Sequence, residues 1–162
     1  MRVLGVDPSL NITGYGVVEQ RGAEIRLVEG GKICPRREAD LDQRLAELQH
    51  GLADVIASLR PDIMVVEEVF SRTAYPRTAI LMAHARGALM SAAALAGVPV
   101  TQYAATTVKR ALVGRGGATK EQVAALVVQA LHLRKPPAPA DVTDALALAI
   151  AYLRRSNGRA GR

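Results

Sequence analysis

The chain has 162 residues with 21 Lys or Arg and 15 Asp or Glu, a formal charge of +6, which is long enough for one domain with a buried core. Its 49% hydrophobic and 22% charged residues exclude a disordered chain, and its single cysteine, Cys34, excludes an internal disulfide or a cysteine-rich zinc site. Asp7 puts a carboxylate where a signal peptide needs its apolar run. His84 and Arg86 interrupt the most apolar long stretch of the chain. We therefore expect a cytoplasmic protein without a signal peptide or membrane span.

The first part of the chain has the pattern of three strands in a meander. Short apolar runs separated by turn residues predict strands at 2–6, 14–18 and 23–33. From Leu41 to Leu59, leucines and other apolar residues then recur at three- and four-residue intervals, which predicts an amphipathic helix closed by Pro61. Residues 62–67 are an apolar run typical of a strand that is buried on both faces.

The second part alternates helices with one more strand. A helix is predicted at 78–96, a fifth strand at 98–103, and two shorter helices on either side of the Gly-rich turn 114–117. Thr119 and Gln122 have the spacing of a capping box at the start of the second of these helices. The last helix is predicted at 140–154.

This order of elements predicts an α/β fold with a mixed five-stranded sheet and helices on both faces. We expect a single domain over residues 1–155, followed by a disordered basic tail at 156–162.

Four carboxylates occupy positions that favour a metal site. Asp7 and Glu67 each end a predicted strand, and ligands bind at that edge when such strands are parallel neighbours. Asp141 and Asp144 are three residues apart near the start of a helix and share one face. Converging carboxylates repel one another unless a cation neutralises them, and oxygen ligands suit Mg²⁺ or Mn²⁺.

Each acidic group also has a simpler interpretation. Asp7 could belong to a turn, the adjacent pair Glu67 and Glu68 could be solvated, and Asp141 and Asp144 could serve the helix dipole. Taken together, the four positions favour the metal site. Strand alternation allows only one of Glu67 and Glu68 to join it, and the pattern alone does not choose between them.

Charge is distributed unevenly along the chain. Residues 1–81 carry 10 basic and 12 acidic side chains, whereas residues 82–162 carry 11 basic and three acidic ones. A net charge of +8 on the second half favours a polyanionic partner such as nucleic acid. The alternative is a compositional bias towards arginine, because Arg outnumbers Lys 17 to 4.

Three sequence blocks in order resemble the RuvC family of Holliday-junction resolvases. They are Gly5-Val6-Asp7-Pro8 with Thr13-Gly14-Tyr15-Gly16, then Val66-Glu67-Glu68-Val69-Phe70, then Ala140-Asp141-Val142-Thr143-Asp144-Ala145-Leu146-Ala147. The resemblance implies a ribonuclease-H-like fold and a homodimer that nicks two opposing strands of a four-way DNA junction, using two divalent metal ions per subunit. It implies that the catalytic carboxylates and metal ligands are Asp7, Glu67, Asp141 and Asp144.

The resemblance also implies further roles. The cofactor would be Mg²⁺, with Mn²⁺ able to replace it, the products would carry 5′-phosphate and 3′-hydroxyl ends, and the RuvA–RuvB branch-migration complex would be a partner. Lys109 and Lys120 match family lysines near the scissile phosphate, where the simpler interpretation is solvated surface lysines. Phe70 would lie near the junction centre, where the simpler interpretation is a core residue. The other expected DNA contacts are Arg72, Tyr75, Arg77, Arg110 and Arg115.

One position departs from the family pattern, because Ser9 stands where a glycine usually follows Asp7-Pro8. Three other functions fit the sequence less well than junction resolution. A related metal nuclease acting on RNA would share the carboxylates but not the Phe70 loop, and a non-catalytic junction-binding protein would lack a carboxylate. An actin-like kinase or ATPase needs two such domains, for which 162 residues are too few.

Overall fold

In the computed structural model, which describes residues 1–68 and 76–160, five strands form one mixed sheet. The strands are β1 (Arg2–Asp7), β2 (Thr13–Arg21), β3 (Glu24–Ile33), β4 (Ile63–Glu67) and β5 (Val100–Tyr103). The helices are α1 (Leu41–Leu59), α2 (Pro76–Leu95), α3 (Ala105–Val113), α4 (Lys120–Ala130) and α5 (Ala140–Ala160). The strand order is β3-β2-β1-β4-β5, in which β1 to β3 are antiparallel and β4 and β5 run parallel to β1. The predicted α/β architecture is confirmed.

Side chains alternate between the two faces of the central strands and build two cores. Leu4 of β1 and Met64 of β4 are fully buried against α1 and α2. Val3 and Val65, one residue away from each, are fully buried on the opposite face with α3, α4 and α5. Whether a strand residue has an odd or an even number therefore determines which layer of helices its side chain packs against.

Helix α5 lies in close contact with the sheet because glycines leave room for it. A Cβ at Gly5 would stand 1.8 Å from the carbonyl oxygen of Ala145, and one at Gly14 would stand 2.2 Å from the carbonyl oxygen of Asp141. The backbone of α5 thus rests directly on β1 and β2.

Some element boundaries differ from those predicted. Strand β5 begins at Val100 rather than at residue 98, because the Val98 N–H donates to the Ala93 carbonyl and closes α2. Helix α5 continues to Ala160, beyond the predicted end at 154, since no proline interrupts this part of the chain. Residues 156–160 therefore extend the helix, in place of the disordered tail expected there.

Helix α2 is unusually apolar for its position in the fold. By length and composition alone, Arg77–Leu95 could cross a membrane, and 22% of its window is buried in the fold. Ala85 and Leu89 are fully buried against the sheet and α1, whereas Ile80 and Leu95 are exposed. The helix combines a core face with an outward face on which Ile80 and Leu95 are exposed beside His84 and Ser91.

Candidate active site

Two carboxylates end neighbouring parallel strands. The register between β1 and β4 pairs Val6 with Val66, so Asp7 and Glu67 follow side by side at the same edge of the sheet. Alternate residues of a strand point to the same face of the sheet. Asp7 therefore lies on the face of Val3 and Gly5, and Glu67 on the face of Val65, which is the face covered by α5. This is the juxtaposition expected for parallel neighbours.

The structure distinguishes between the two adjacent glutamates. Glu67 lines a cleft of about 180 Å³ together with Asp144, Lys109 and Lys120. Glu68 has the opposite parity, and its backbone N–H donates to the Tyr103 carbonyl at 3.0 Å, continuing the contact between β4 and β5. Glu67 is therefore the one that shares a site with the carboxylates of α5.

The first turns of α5 bring the other two carboxylates to this edge. Asp7 is paired with Gly14 in the ladder between β1 and β2, and the Asp141 backbone rests on Gly14. Asp144 lies one turn further along α5 and lines the cleft with Glu67. A side chain at position 14 would push the start of α5, and with it Asp141, away from Asp7.

Two lysines approach the carboxylates from α3 and α4. Lys109 lies on α3 and lines the cleft, and Lys120 is the first residue of α4. The predicted capping box fixes that end of α4, since Thr119 Oγ1 accepts from the Gln122 N–H at 3.2 Å. Lys120 Nζ donates to Asp144 Oδ2 at 3.1 Å, and this contact raises the pKa of the lysine.

The carboxylates oppose one another's ionisation. Burial, followed by the negative charges of Asp144, Glu67 and Asp141, raises the pKa of Asp7 from 3.8 to about 7. Burial and Asp144 also raise the pKa of Glu67, while Lys120 and Lys109 act in the opposite direction. Negative charge at this edge exceeds what the two lysines neutralise.

The donor set fits a divalent cation. All four acidic side chains offer hard oxygen ligands, and a buried carboxyl with a raised pKa is stabilised in its charged form by a bound cation. Within residues 1–68 and 76–160, no three His, Cys, Asp or Glu side chains stand close enough to bind an ion at their present positions. One oxygen of Asp144 is held by Lys120 instead.

Ser9 fits the turn that follows Asp7. Its backbone N–H donates to Thr13 Oγ1 at 3.1 Å, its carbonyl accepts from the same hydroxyl at 2.7 Å, and its own Oγ accepts from the Asn11 N–H. The non-glycine residues with positive φ in the described chain are Arg60 and His132, so Ser9 is not among them. The turn therefore does not need the glycine that the family usually has.

Two arginines missed by the sequence reasoning hold the backbone around the site. Arg44 of α1 donates to the Leu10 carbonyl and to Asn11 Oδ1, both at 2.8 Å, and so fixes the loop after Asp7. Arg86 of α2 donates through Nε to the Glu67 carbonyl at 3.0 Å. The available signal was the position of Arg86, a charged residue inside an otherwise apolar helix.

The predicted DNA contacts fall into three groups. Lys109 and Lys120 lie in the cleft, and Arg110 and Arg115 are exposed on its α3 and α4 side, where Arg115 donates to Gln122 Oε1 at 3.1 Å. Arg77 is exposed in the first turn of α2. The remaining predictions, Phe70, Arg72 and Tyr75, lie outside the described residues.

Comparison with known proteins identifies the family of the chain. Residues 3–152 match the profile of the family described as crossover junction endodeoxyribonuclease RuvC. The protein of that name from Rhodopirellula baltica is 47% identical over 148 residues, which are 91% of this chain and 83% of the relative.

Two solved structures from Thermus thermophilus have the same fold. Its RuvC structure superposes with a TM-score of 0.86 at 34% identity, covering 98% of this chain and 97% of that one. Its RuvC in complex with Holliday junction substrate superposes with a TM-score of 0.88 at 36% identity, covering 96% of each chain. The ribonuclease-H-like fold expected from the sequence is confirmed. With four carboxylates and two lysines around one sheet edge, the chain belongs to the RuvC family of crossover junction endodeoxyribonucleases.

Proposed function

We propose that the chain resolves four-way DNA junctions by hydrolysing phosphodiester bonds at the edge of the sheet where β1 and β4 end. The observation that carries this function is the meeting of Asp7 and Glu67 with the first turns of α5, next to Lys109 and Lys120. Family membership supports the four-way junction as substrate, and the same residues support a metal-dependent nuclease.

The four carboxylates hold the metal in this proposal. Asp7, Glu67, Asp141 and Asp144 would ligate two Mg²⁺ ions, or Mn²⁺ in their place. The chemistry supplied by such a pair is the activation of water and the stabilisation of the leaving 3′-oxygen, which leaves a 5′-phosphate on the product. The protein contributes by placing Asp7 and Glu67 on rigid strand ends, so that their positions do not depend on a loop.

The lysines act on the phosphate. Lys120 reaches the carboxylates from a capped helix N-terminus, and Lys109 reaches the same cleft from α3. With a phosphate in the cleft, each ammonium can hold a non-bridging oxygen and stabilise the charge that gathers there in the transition state. Removing either one, as in Lys120→Met, should lower kcat by about 10²-fold to 10³-fold.

The test is cleavage of a synthetic four-way junction beside a linear duplex and an RNA–DNA hybrid, each with Mg²⁺. We expect the junction alone to be cut at paired positions, and Asp7→Asn or Glu67→Gln to lower the rate by about 10³-fold. Glu68→Gln is the matched control, because Glu68 lies on the opposite strand face. Equal cutting of all three substrates, or full activity of Asp7→Asn, would refute the assignment.

Junction binding separates catalysis from recognition. Phosphate contacts dominate affinity for DNA, so Asp7→Asn should bind the junction as tightly as the parent protein, with a steep dependence on salt. Arg110 follows Lys109 on α3, and Arg115 lies in the turn before α4. Both are exposed, and Arg→Met changes there should reduce that salt dependence. Loss of binding in Asp7→Asn would mean that the carboxylate is structural.

We also propose that α2 mediates formation of the homodimer. Ile80 is 57% exposed and Leu95 is 79% exposed, and the helix between them presents small residues such as Ala83 and Ala94 to solvent. Small residues allow two helices to approach closely, and a second copy would cover this apolar face. Two sites related by a twofold axis would place paired cuts on opposing strands.

The oligomeric state tests this role of α2. Ile80→Asp should yield a monomer in sedimentation equilibrium, and such a monomer should lose the pairing of the two cuts. Ala57→Asp puts the same charge on the exposed side of α1 and should leave the dimer intact. A dimeric Ile80→Asp protein would place the interface elsewhere.

Family membership further supports the RuvA–RuvB branch-migration complex as a partner. Adding that complex to junctions that can migrate should change where this chain cuts them, because the crossover point moves. An unchanged distribution of cuts would contradict the partnership.

A further inference from the structure

The Glu67 carbonyl lies at the end of the hydrogen-bond ladder between β1 and β4. The backbones of Met1 and Gln20 are joined by two hydrogen bonds, one in each direction. The backbone N–H and C=O groups at odd positions of β1 therefore point toward β2, and those at even positions point toward β4. The ladder between β1 and β4 ends at Val6 and Val66. The next even position on β1 is Pro8, which has no N–H to offer to the Glu67 carbonyl.

Arg86 supplies the hydrogen bond that the sheet lacks. Its Nε donates to the Glu67 carbonyl at 3.0 Å, and its Nη2 donates to Gln102 Oε1 on β5. The arginine follows Ala85, which is fully buried against the sheet, so its backbone is anchored in the core. The planar guanidinium thus joins α2 to the ends of two strands.

Hydrogen bonds therefore hold the end of β4 on both sides. On the β5 side, the Glu68 N–H donates to the Tyr103 carbonyl at 3.0 Å. On the other, the Glu67 carbonyl accepts from Arg86. We propose that Arg86 is a positioning residue, which sets the orientation of the Glu67 carboxylate by holding the main chain of the same residue. This inference rests on the proposed function, because it takes Glu67 as one of the catalytic carboxylates.

Two other roles would be open to an arginine at this place. It could hold a DNA phosphate, or it could merely tie α2 to the sheet. A phosphate contact would lower the affinity for junctions and the salt dependence of binding, with kcat at saturation unchanged. A structural tie would lower the free energy of unfolding and leave the remaining folded protein fully active.

The experiment compares Arg86→Met with Arg86→Lys, using Arg60→Met as a matched control at an exposed arginine that precedes β4, at the opposite end of the strand from Glu67. Three quantities are measured on full-length protein: kcat and Kd for a four-way junction, Mn²⁺ binding to the DNA-free protein by electron paramagnetic resonance, and urea unfolding. Partners that orient metal ligands typically alter metal affinity or activity by 10-fold to 100-fold.

We expect Arg86→Met to lose about 10-fold to 100-fold in kcat and in Mn²⁺ affinity, with junction Kd unchanged. Arg86→Lys keeps one donor and should recover part of both losses. Parental kcat and Mn²⁺ affinity in Arg86→Met would overturn the inference, as would a change confined to junction Kd or to unfolding. Glu67→Gln serves as the reference: if it cuts junctions normally, the proposed site fails, and if it is inactive while Arg86→Met is normal, only the role of Arg86 fails.

Discussion

Replacing Gly5 by alanine should separate α5 from the sheet. The added Cβ would stand 1.8 Å from the Ala145 carbonyl oxygen and 3.1 Å from the Ala149 backbone nitrogen. Both are backbone atoms, so no side-chain rotation can relieve the overlap. Since non-bonded carbon and oxygen stay about 3 Å or more apart, α5 has to move by roughly 1 Å, which forfeits a quarter to a half of the dispersion energy of its contacts with the sheet.

The expected cost is at the upper end of the range for overpacked cores, about 3 kcal/mol of unfolding free energy. For a chain of this length, that corresponds to a fall in Tm of roughly 10 °C. Urea unfolding followed by circular dichroism measures it in metal-free buffer. Activity should fall as well, because Asp7 is on β1 while Asp141 and Asp144 move with α5.

Two further variants make the reasoning refutable. At Gly30, the nearest atom to an added Cβ is a side-chain methyl, Val142 Cγ1 at 2.9 Å, so Gly30→Ala should cost less than about 1 kcal/mol. Adding Ala145→Gly to Gly5→Ala should give no rescue, because the obstructing atom is the carbonyl oxygen of residue 145. A Gly5→Ala protein within about 0.5 kcal/mol of the parent, or its rescue by Ala145→Gly, would refute this account of the contact.

Three other substitutions test the electrostatics and the supports of the site. Because the pKa of Asp7 rises from 3.8 to about 7 on folding, the native metal-free protein binds more protons over that interval, and its stability should fall as pH rises from about 4 to about 7 and level off above. In urea unfolding with EDTA, Asp7→Asn should flatten that slope and gain up to about 4 kcal/mol at pH 8, and equal slopes would contradict the raised pKa. Arg44→Met should lose about 1–2 kcal/mol because two acceptors in the loop after Asp7 lose their donor, whereas Arg37→Met should stay within about 0.5 kcal/mol. Thr119→Ala removes the cap of α4 and should cost about 1 kcal/mol, with Thr119→Ser close to the parent; equal losses in both would argue against the hydroxyl contact.

Periodicity was enough to predict the elements that have a single buried face. Helix α1 begins at Leu41 and ends at Leu59 as expected, because its apolar spacing and Pro61 leave little choice. The start of β5 could not be predicted the same way. Val98 is apolar and looks like a strand residue, yet its N–H closes α2, which only the packing of that helix decides.

The site was predictable as a set of residue types and less so as a geometry. Alternation requires that only one of Glu67 and Glu68 face α5, but Met64 and Val65 are both apolar, so the sequence does not reveal which face is which. The contacts of Arg86 could not be predicted from the sequence for a related reason. They depend on the ladder between β1 and β4 ending next to Pro8, and that register is a property of the assembled sheet.

The four carboxylates of the site lie in different electrostatic surroundings. Asp141 and Asp144 stand in the first turns of α5, where the helix dipole favours negative charge, and Asp144 also has Lys120 at 3.1 Å. Asp7 ends a strand and is largely buried, so its burial and then the charges of Asp144, Glu67 and Asp141 raise its pKa to about 7, with Lys120 acting in the opposite direction. A divalent cation at this edge would relieve the repulsion that acts on Asp7. The energetic cost of the metal-free fold and the affinity for metal therefore have one origin, and Asp7→Asn should stabilise the protein by the same change that removes its activity.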